Sequence, residues 1–146
     1  MAQAVQRGAS GEADLTIPLL HADEAGPEAM LGADGYVFVA PEMLAALSGR
    51  MKHFFDRTYY AVLGRIEGRP CATLVCAGSD GENAVRQLRR IAAGWRLKEI
   101  APPIIISTHA QTPEAILAPK TIAEGDLERC SELGAAFAAG LAMGVF

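Results

Sequence analysis

Four short runs of apolar residues divide the chain, and each has the composition of a β-strand. The runs cover residues 15–20, 35–40, 72–77 and 103–107. The last three are rich in β-branched residues and apolar along their length, which is typical of strands that are covered on both faces. The first run contains Pro18, which has no N–H to donate, and it therefore predicts an edge strand.

The segments between these runs carry apolar residues at helical spacing. We interpret the apolar stripes as core packing, because a stripe at this spacing is typical of a helix with one buried face. The stripes comprise Met51, Phe54, Phe55, Thr58 and Val62; Val85, Leu88, Ala92 and Trp95; and Leu127, Cys130, Gly134, Phe137 and Leu141. A helix over residues 1–7 and a short helix after the first strand complete the order. Strands alternating with helices predict a three-layer α/β fold, a parallel sheet with helices on both faces, in a single domain over residues 1–146.

Composition and charge exclude several classes of protein. The 146 residues are 51% hydrophobic and 21% charged, which is globular composition. The net charge is −4, and the sequence contains no block of Lys and Arg. Both observations argue against nucleic acid or an anionic membrane as the main partner. No apolar run approaches the roughly 20 residues of a membrane span, and the first residues lack the apolar core of a signal peptide. We therefore expect a soluble, cytoplasmic protein.

The loops that follow the strands are the places to look for a ligand, because open parallel sheets bind ligands beyond the carboxyl ends of their strands. Residues 41–49 form a long, mostly uncharged loop with Glu42 as its one carboxylate, whose side chain is expected to face solvent, and with Ser48 as a natural N-cap. Residues 78–81 read Gly-Ser-Asp-Gly. This second loop allows close backbone approach to a ligand at a helix N-terminus. The residues alone favour the other interpretation, in which Ser79 or Asp80 only caps the helix.

Motifs for other chemistries are absent from the sequence. There is no dinucleotide-binding G-x-G-x-x-G, no P-loop, no nucleophile elbow and no zinc-binding H-E-x-x-H. His109 follows the fourth strand and could line the same edge of the sheet, whereas the other two histidines are scattered. The three cysteines, Cys71, Cys76 and Cys130, are interpreted as small core residues. No side-chain nucleophile and no metal site is predicted.

Two adjacent segments resemble a known family. Residues 33–42 (ADGYVFVAPE) and residues 47–58 (LSGRMKHFFDRT) resemble the middle of flavodoxin-like FMN proteins, in the branch of the NAD(P)H-dependent FMN reductases and quinone reductases. The stretch SGRMKHFFDR carries the resemblance. Residues 77–81 look like the next ligand loop of that family, and residues 110–116 like the loop beyond its last strand.

The resemblance implies a fold whose strands, in the family's own numbering, lie in the order 2-1-3-4-5. FMN would lie across the ends of the family's strands 1, 3 and 4. Residues 41–46 would lie beside the isoalloxazine ring, and residues 78–81 would flank its other side. The cofactor-binding residues implied in this way are Pro41, Glu42, Met43, Leu44, Ala45, Gly78, Ser79, Asp80 and Gly81. The family often has an aromatic, glycine-containing loop where this chain has Leu44 and Ala45.

The function that the resemblance implies is electron transfer by a bound flavin. NAD(P)H would be the donor and a quinone or another small molecule the acceptor, with the flavin supplying the chemistry. The alternative is a flavin-free or weakly binding flavodoxin-like module with a role in assembly or interaction, or a truncated fragment of the enzyme. A homo-oligomer contact is one interpretation of the charge-poor residues 133–146, and packing onto the chain's own sheet is the other.

The N-terminal part departs from the family. The family's first strand and its phosphate-binding turn have no counterpart, and residues 1–5 align with the first helix. Without that strand, the strands on either side of it would lose a ladder of hydrogen bonds, and buried bonds left unmade cost about 1–3 kcal/mol each. Three explanations are open: the true start lies upstream, an oligomer partner covers the edge, or the strand at residues 15–20 slides in beside the strand at residues 35–40.

Overall fold

A computed structural model describes residues 1–12 and 15–146. The described chain divides into two compact units, one formed by Met1–Leu19 and Lys120–Phe146 and the other by Leu20–Pro119. The second unit contains every strand of the described chain and all of the loops that the sequence assigns to a ligand. A single domain over residues 1–146 stays a prediction.

The sheet is mixed and mostly parallel. Its strands are β1 (Tyr36–Met43), β2 (Ala46–Leu47), β3 (Pro70–Ala77), β4 (Lys98–Glu99) and β5 (Ile104–Ser107). The long central strand β3 pairs in parallel with β1, β4 and β5, and Tyr36 lies opposite Cys71 while Leu74 lies opposite Ile104. β2 pairs antiparallel with the end of β1. The structure thus confirms three of the four strands that the sequence predicts.

The helices of the described residues are α1 (Ala2–Ala9), α2 (Pro27–Gly32), α3 (Gly49–Val62), α4 (Glu82–Gly94), α5 (Pro113–Leu117) and α6 (Glu124–Ala142). The predicted helices are confirmed in α1, α2, α3, α4 and α6. Ser48 stands at the N-cap position of α3 as predicted, but its side chain makes no capping hydrogen bond. No helix of the described residues is both long and apolar enough to cross a membrane.

Aromatic side chains fill the core of the larger unit. Phe55 of α3 lies between Phe38 of β1 and Trp95 after α4, with ring centroids 5.2 Å apart in both pairs. β3 is buried over nearly its whole length, as expected for a strand covered on both faces. Burial in this core raises the pKa of the Cys71 thiol to about 11.

Arg69, just before β3, binds the end of α2. Its Nη1 donates hydrogen bonds to the carbonyl oxygens of Met30 and Leu31 at 2.9 and 3.0 Å. It also donates to the hydroxyl of Tyr36 at 3.0 Å, and that hydroxyl donates in turn to the Met30 carbonyl at 2.6 Å. Burial raises the pKa of Tyr36, against the opposing effect of the Arg69 charge. One guanidinium therefore satisfies carbonyls that the short helix leaves without partners.

The smaller unit is a close pair of helices, α1 and α6. A Cβ on Gly8 would lie 1.9 Å from the Ser131 carbonyl oxygen, and one on Gly134 would lie 2.0 Å from the Val5 carbonyl oxygen. Those distances leave no room for a side chain. Glycine at these two positions is what lets the backbones of α1 and α6 come together.

The prediction of a strand at residues 15–20 is wrong. These residues form no strand. Pro18 removes one donor, and the carbonyl of Ile17 accepts a hydrogen bond from Nε2 of Gln6 at 2.8 Å instead of joining a ladder. The explanation in which this segment slides into the sheet is therefore wrong as well. Over residues 36–41, β1 has β3 as its one strand partner among the described residues.

Candidate functional site

The first predicted ligand loop is a β-hairpin. β1 continues through Pro41, Glu42 and Met43, turns at Leu44 and Ala45, and returns as β2. The prediction of one long loop over residues 41–49 is thus wrong, because residues 42–43 pair with residues 46–47. Leu44 and Ala45 have φ values of 52° and 57°, the left-handed pair that a two-residue hairpin turn of type I′ requires. This conformation costs a residue with a side chain about 1–2 kcal/mol.

Two side-chain amides of α4 hold this β1–β2 hairpin in place. Asn83 donates from Nδ2 to the carbonyl oxygen of Ala45 at 2.6 Å, directly at the turn. Gln87 accepts the backbone N–H of Leu47 through Oε1 at 2.9 Å. Residues four apart lie on one face of a helix, so both amides point at the same hairpin. Arg86 donates to Oδ1 of Asn83 at 2.6 Å and thereby fixes the orientation of that amide.

The second predicted ligand loop, residues 78–81, leads directly into α4. Gly81 is the N-cap residue with φ 74°, and Oδ1 of Asp80 accepts the N–H of Glu82 at 3.1 Å. A Cβ on Gly81 would lie 2.8 Å from Cγ2 of Ile105. Positive φ and lack of space together make glycine necessary at position 81. Ser79 and Asp80 are exposed to solvent.

Glu42 joins the two predicted loops. Its Oε2 accepts the backbone N–H of Gly81 at 3.3 Å. Its Oε1 is buried and accepts no hydrogen bond from the described residues. The expectation that Glu42 faces solvent is therefore wrong, because the strand points its side chain toward the start of α4. A buried carboxylate oxygen without a partner favours the approach of an N–H or O–H donor.

A third loop, residues 107–112, closes the same edge of the sheet. The N–H of Thr108 donates to the carbonyl of Ala77 at 2.8 Å, and Nε2 of Gln111 donates to the carbonyl of Gly78 at 3.0 Å. His109 is exposed at this edge, with Nδ1 at 3.3 Å from Oγ of Ser107. The loops after β1, β3 and β5 are thus connected by hydrogen bonds at the carboxyl ends of the strands.

This edge of the sheet combines exposed apolar side chains with few charged groups. The side chains of Met43 and Leu44 are exposed at the hairpin tip, and Leu44 is fully so. Gly78 is half-buried, whereas Gly81 is buried. Glu42, Asp80 and His109 are the ionisable residues of the three loops, and no nucleophile stands beside a base in them. Binding and orientation are therefore what these residues can supply.

The fold and this edge define a flavodoxin-like α/β protein, and comparison with known proteins gives the family. The family model described as NADPH-dependent FMN reductase matches residues 22–112, well over half of the chain. The chain belongs to this family. The resemblance seen in residues 33–58 is thereby confirmed.

A sequence relative and two solved structures agree with this assignment. A flavodoxin from Aquifex aeolicus (strain VF5) is 36% identical over 86 residues, which are 58% of this chain and 46% of that protein. The chain thus spans about half the length of this relative. A flavodoxin from the domain Archaea superposes with a TM-score of 0.74 at 15% identity, covering 96% of this chain and 87% of the other. A WrbA-like flavodoxin from Agrobacterium tumefaciens has a TM-score of 0.67 at 19% identity, with coverages of 97% and 87%. These structures show the fold.

Sequence reasoning missed the roles of Asn83 and Gln87. Both belong to a helix that was interpreted as packing, and neither residue type signals a ligand site by itself. The available signal was their spacing: two amides four residues apart, directly after a glycine-rich loop. Such a pair faces whatever lies beside the first turns of the helix.

Proposed function

We propose that the protein is an FMN-dependent oxidoreductase that transfers electrons from NAD(P)H to a quinone or another small acceptor. Membership of the NADPH-dependent FMN reductase family supports both the cofactor and the donor. The acceptor is inferred from the exposed, mostly uncharged edge formed by the three loops. The cofactor-binding residues in this proposal are the nine predicted from sequence, together with His109 at the same edge.

The observation that carries the proposal is the free oxygen of Glu42. An isoalloxazine ring has one N–H donor on its pyrimidine portion, and Oε1 of Glu42 is a buried acceptor without a described partner. Gly78, which is only half-buried, leaves its backbone accessible for a close approach by such a ring. The residues present therefore fit a flavin.

Each part of the site has a separate task in this proposal. When bound, FMN supplies the hydride and electron chemistry. The carboxylate of Glu42 accepts the ring N–H, and its negative charge disfavours further negative charge on the ring. Met43 and Leu44 exclude water from the edge of the ring. Asn83 and Gln87 hold the hairpin, so the ring meets a preformed surface.

One observation favours the second candidate, a flavin-free module that acts in assembly. Over residues 36–41, β1 has a strand partner on one side only in the described part of the chain. Unpaired strand edges are templates for association with another chain. The turn residues Leu44 and Ala45 also offer no aromatic ring for stacking on a flavin.

Titration of the purified chain with FMN separates the two candidates. We expect saturable quenching of flavin fluorescence at about one FMN per chain, followed by NAD(P)H oxidation when a quinone is added. Glu42→Gln should weaken FMN binding about tenfold or more, the usual size of a hydrogen bond to a charged acceptor. Glu28→Gln, at an exposed position in α2, is the charge-matched control and should bind FMN as the original chain does. Absence of saturable binding would contradict the proposal and favour the assembly role.

A further inference from the structure

The tip of the β1–β2 hairpin projects an apolar side chain into solvent. Leu44 is fully exposed, and its neighbour Met43 is 57% exposed. Leu44 also has a positive φ of 52°, a conformation that asparagine or glycine adopts at lower cost. The turn therefore holds a leucine where neither burial nor backbone geometry favours one. Strain of this kind clusters at functional positions.

A row of basic side chains begins beside this tip. Asn83, whose amide binds the carbonyl of Ala45, is followed on the same face of α4 by Arg86 and Arg90, three and seven residues later. Arg86 donates to Oδ1 of Asn83 at 2.6 Å, so its guanidinium lies beside the amide that binds the turn. Both arginines are exposed, and within the described residues neither is paired with a carboxylate.

The segment that contains this row is basic, although the chain as a whole is acidic. The stretch from Glu82 to Glu99 contains five basic residues and has these two glutamates as its acidic residues, whereas the whole chain has a net charge of −4. Arg89 forms a salt bridge with Glu99, and Arg96 forms one with Glu67. The charge that remains on the segment is positive, and it lies beside the apolar tip.

An apolar projection flanked by positive charge fits a protein surface better than a nucleic acid. A protruding leucine needs an apolar pocket to leave water, and a phosphate backbone does not offer one. Methionine and arginine are enriched in protein interfaces, and complementary charge speeds the encounter of the two partners. The partner with the matching chemistry is an acidic protein that has an apolar pocket on its surface.

We propose that the hairpin tip and the basic row form a docking surface for a small acidic electron-transfer protein. Leu44 enters an apolar pocket of that protein, and Arg86 and Arg90 face its acidic groups. The docking surface does not depend on the function proposed above, whereas the partner's role as an electron carrier rests on it. A protein docked here lies against the edge of the sheet assigned to the flavin. Two reduced one-electron carriers and two protons supply what one NAD(P)H and one proton supply, and the carriers leave oxidised.

The test measures docking to the whole chain without FMN, so a failure of flavin binding does not affect it. The probe is a plant-type 2Fe–2S ferredoxin, a small acidic electron carrier. Both proteins are acidic overall, so binding between them requires a local basic surface. Isothermal titration calorimetry at low ionic strength should show saturable binding. Added salt should weaken it about tenfold or more, because exposed charges are screened.

Two variants separate the basic row from the apolar tip. Arg90→Glu should weaken ferredoxin binding about tenfold or more and reduce its salt dependence. Arg65→Glu, the same change of charge at an exposed position after α3, is the control and should have a much smaller effect. Leu44→Asn should weaken binding about tenfold while the salt dependence stays, because it removes the apolar anchor and suits the positive φ.

Circular dichroism of each variant establishes that it is folded. Absence of saturable ferredoxin binding would overturn the proposal, as would equal effects of Arg90→Glu and Arg65→Glu. Unchanged affinity in Leu44→Asn would show that the tip does not enter a pocket, which also contradicts it. A short DNA duplex that binds as tightly as ferredoxin would show that the surface responds to any polyanion, and an acidic protein would then no longer be its specific partner.

Discussion

Glu42 at the end of β1 accepts a hydrogen bond from the backbone of Gly81, 39 residues later in the chain, at the start of α4. This bond connects the two segments that the sequence assigns to one cofactor. It uses one carboxylate oxygen and leaves the other buried without a described partner. The position of one segment therefore depends on the other, and Glu42 has acceptor capacity left for a ligand.

Replacing Glu42 by glutamine should change stability and binding in opposite directions. The amide oxygen keeps the bond to Gly81, while the buried negative charge is lost. The free energy of unfolding of the FMN-free chain should rise by about 1 kcal/mol, because a partly unsatisfied buried charge is costly. Urea denaturation measures the first effect, and FMN titration should show weaker binding. A variant that loses both stability and affinity would show that Glu42 is only structural.

Gly81→Ala should destabilise the chain more than Gly64→Ala. Both glycines have φ 74°, so alanine suffers the same backbone strain at each, about 1–2 kcal/mol. A Cβ at position 64 meets nothing within 4 Å, whereas one at position 81 would lie 2.8 Å from Ile105. Overpacking should add about 1–3 kcal/mol at position 81. Urea unfolding of the two variants measures the difference, and equal losses would show that Ile105 moves aside at no cost.

The turn of the hairpin should accept a more favourable sequence. The double variant Leu44→Asn with Ala45→Gly places the preferred Asn-Gly pair at two positions with positive φ. Relief of the left-handed strain should raise the free energy of unfolding by about 1–2 kcal/mol. Thermal and urea unfolding provide the measurement. Leu63→Asn, at an exposed position with φ −58°, is the control and should show no such gain. A loss of stability in the double variant would contradict the type I′ turn.

Stability should fall as the pH rises from about 9 to 11, partly because of Cys71. Burial raises the pKa of its thiol from 9.0 to about 11, so between these values the folded chain holds a proton that the unfolded chain releases. The stabilisation is present below pH 9 and lost by pH 11, by up to roughly 2–3 kcal/mol. Tyr36, whose pKa is also raised, contributes in the same direction.

Comparison with Cys71→Ala isolates the thiol. The free energy of unfolding of the original chain should decrease more steeply than that of the variant between about pH 9 and 11, the interval between the two pKa values. The variant keeps Tyr36 and all the lysines, so their titration cancels in the difference. Parallel pH profiles would mean that the folded environment does not protect the thiol from ionisation.

The sequence predicts those elements whose amino-acid composition by itself indicates that they are buried. The continuous apolar run at residues 72–77 becomes the buried central strand because no other position can hide such a segment. Residues 15–20 have a similar composition but form no strand, since pairing depends on a neighbour that composition does not reveal. The family resemblance predicts that residues 41–46 and 78–81 flank one ligand, and the structure brings them together at the carboxyl edge of the sheet. Their binding of a ligand stays a prediction.

The local structure of the site was not predictable, because distant side chains determine it. Leu44 and Ala45 lack the glycine or asparagine that normally announces a hairpin turn. Their conformation is held by Asn83, on a helix that follows nearly forty residues later. The inward orientation of Glu42 has the same origin, since its partner is Gly81. Contacts between remote segments leave no trace in local periodicity.

Because Asn83 and Gln87 hold the β1–β2 hairpin in place, the sequence of its turn can be changed independently of the rest of the sheet. Asn83 holds the turn at Ala45 and Gln87 holds the returning strand at Leu47, whereas the hairpin's own ladder is only two residue pairs long. Loops of different length and composition can therefore be inserted at positions 43–46 without rebuilding the sheet, provided that they offer one carbonyl to Asn83. Under the proposed function, a change of a few residues in one turn would alter the surface offered to an acceptor, which makes this hairpin the natural place to begin a selection for altered acceptors.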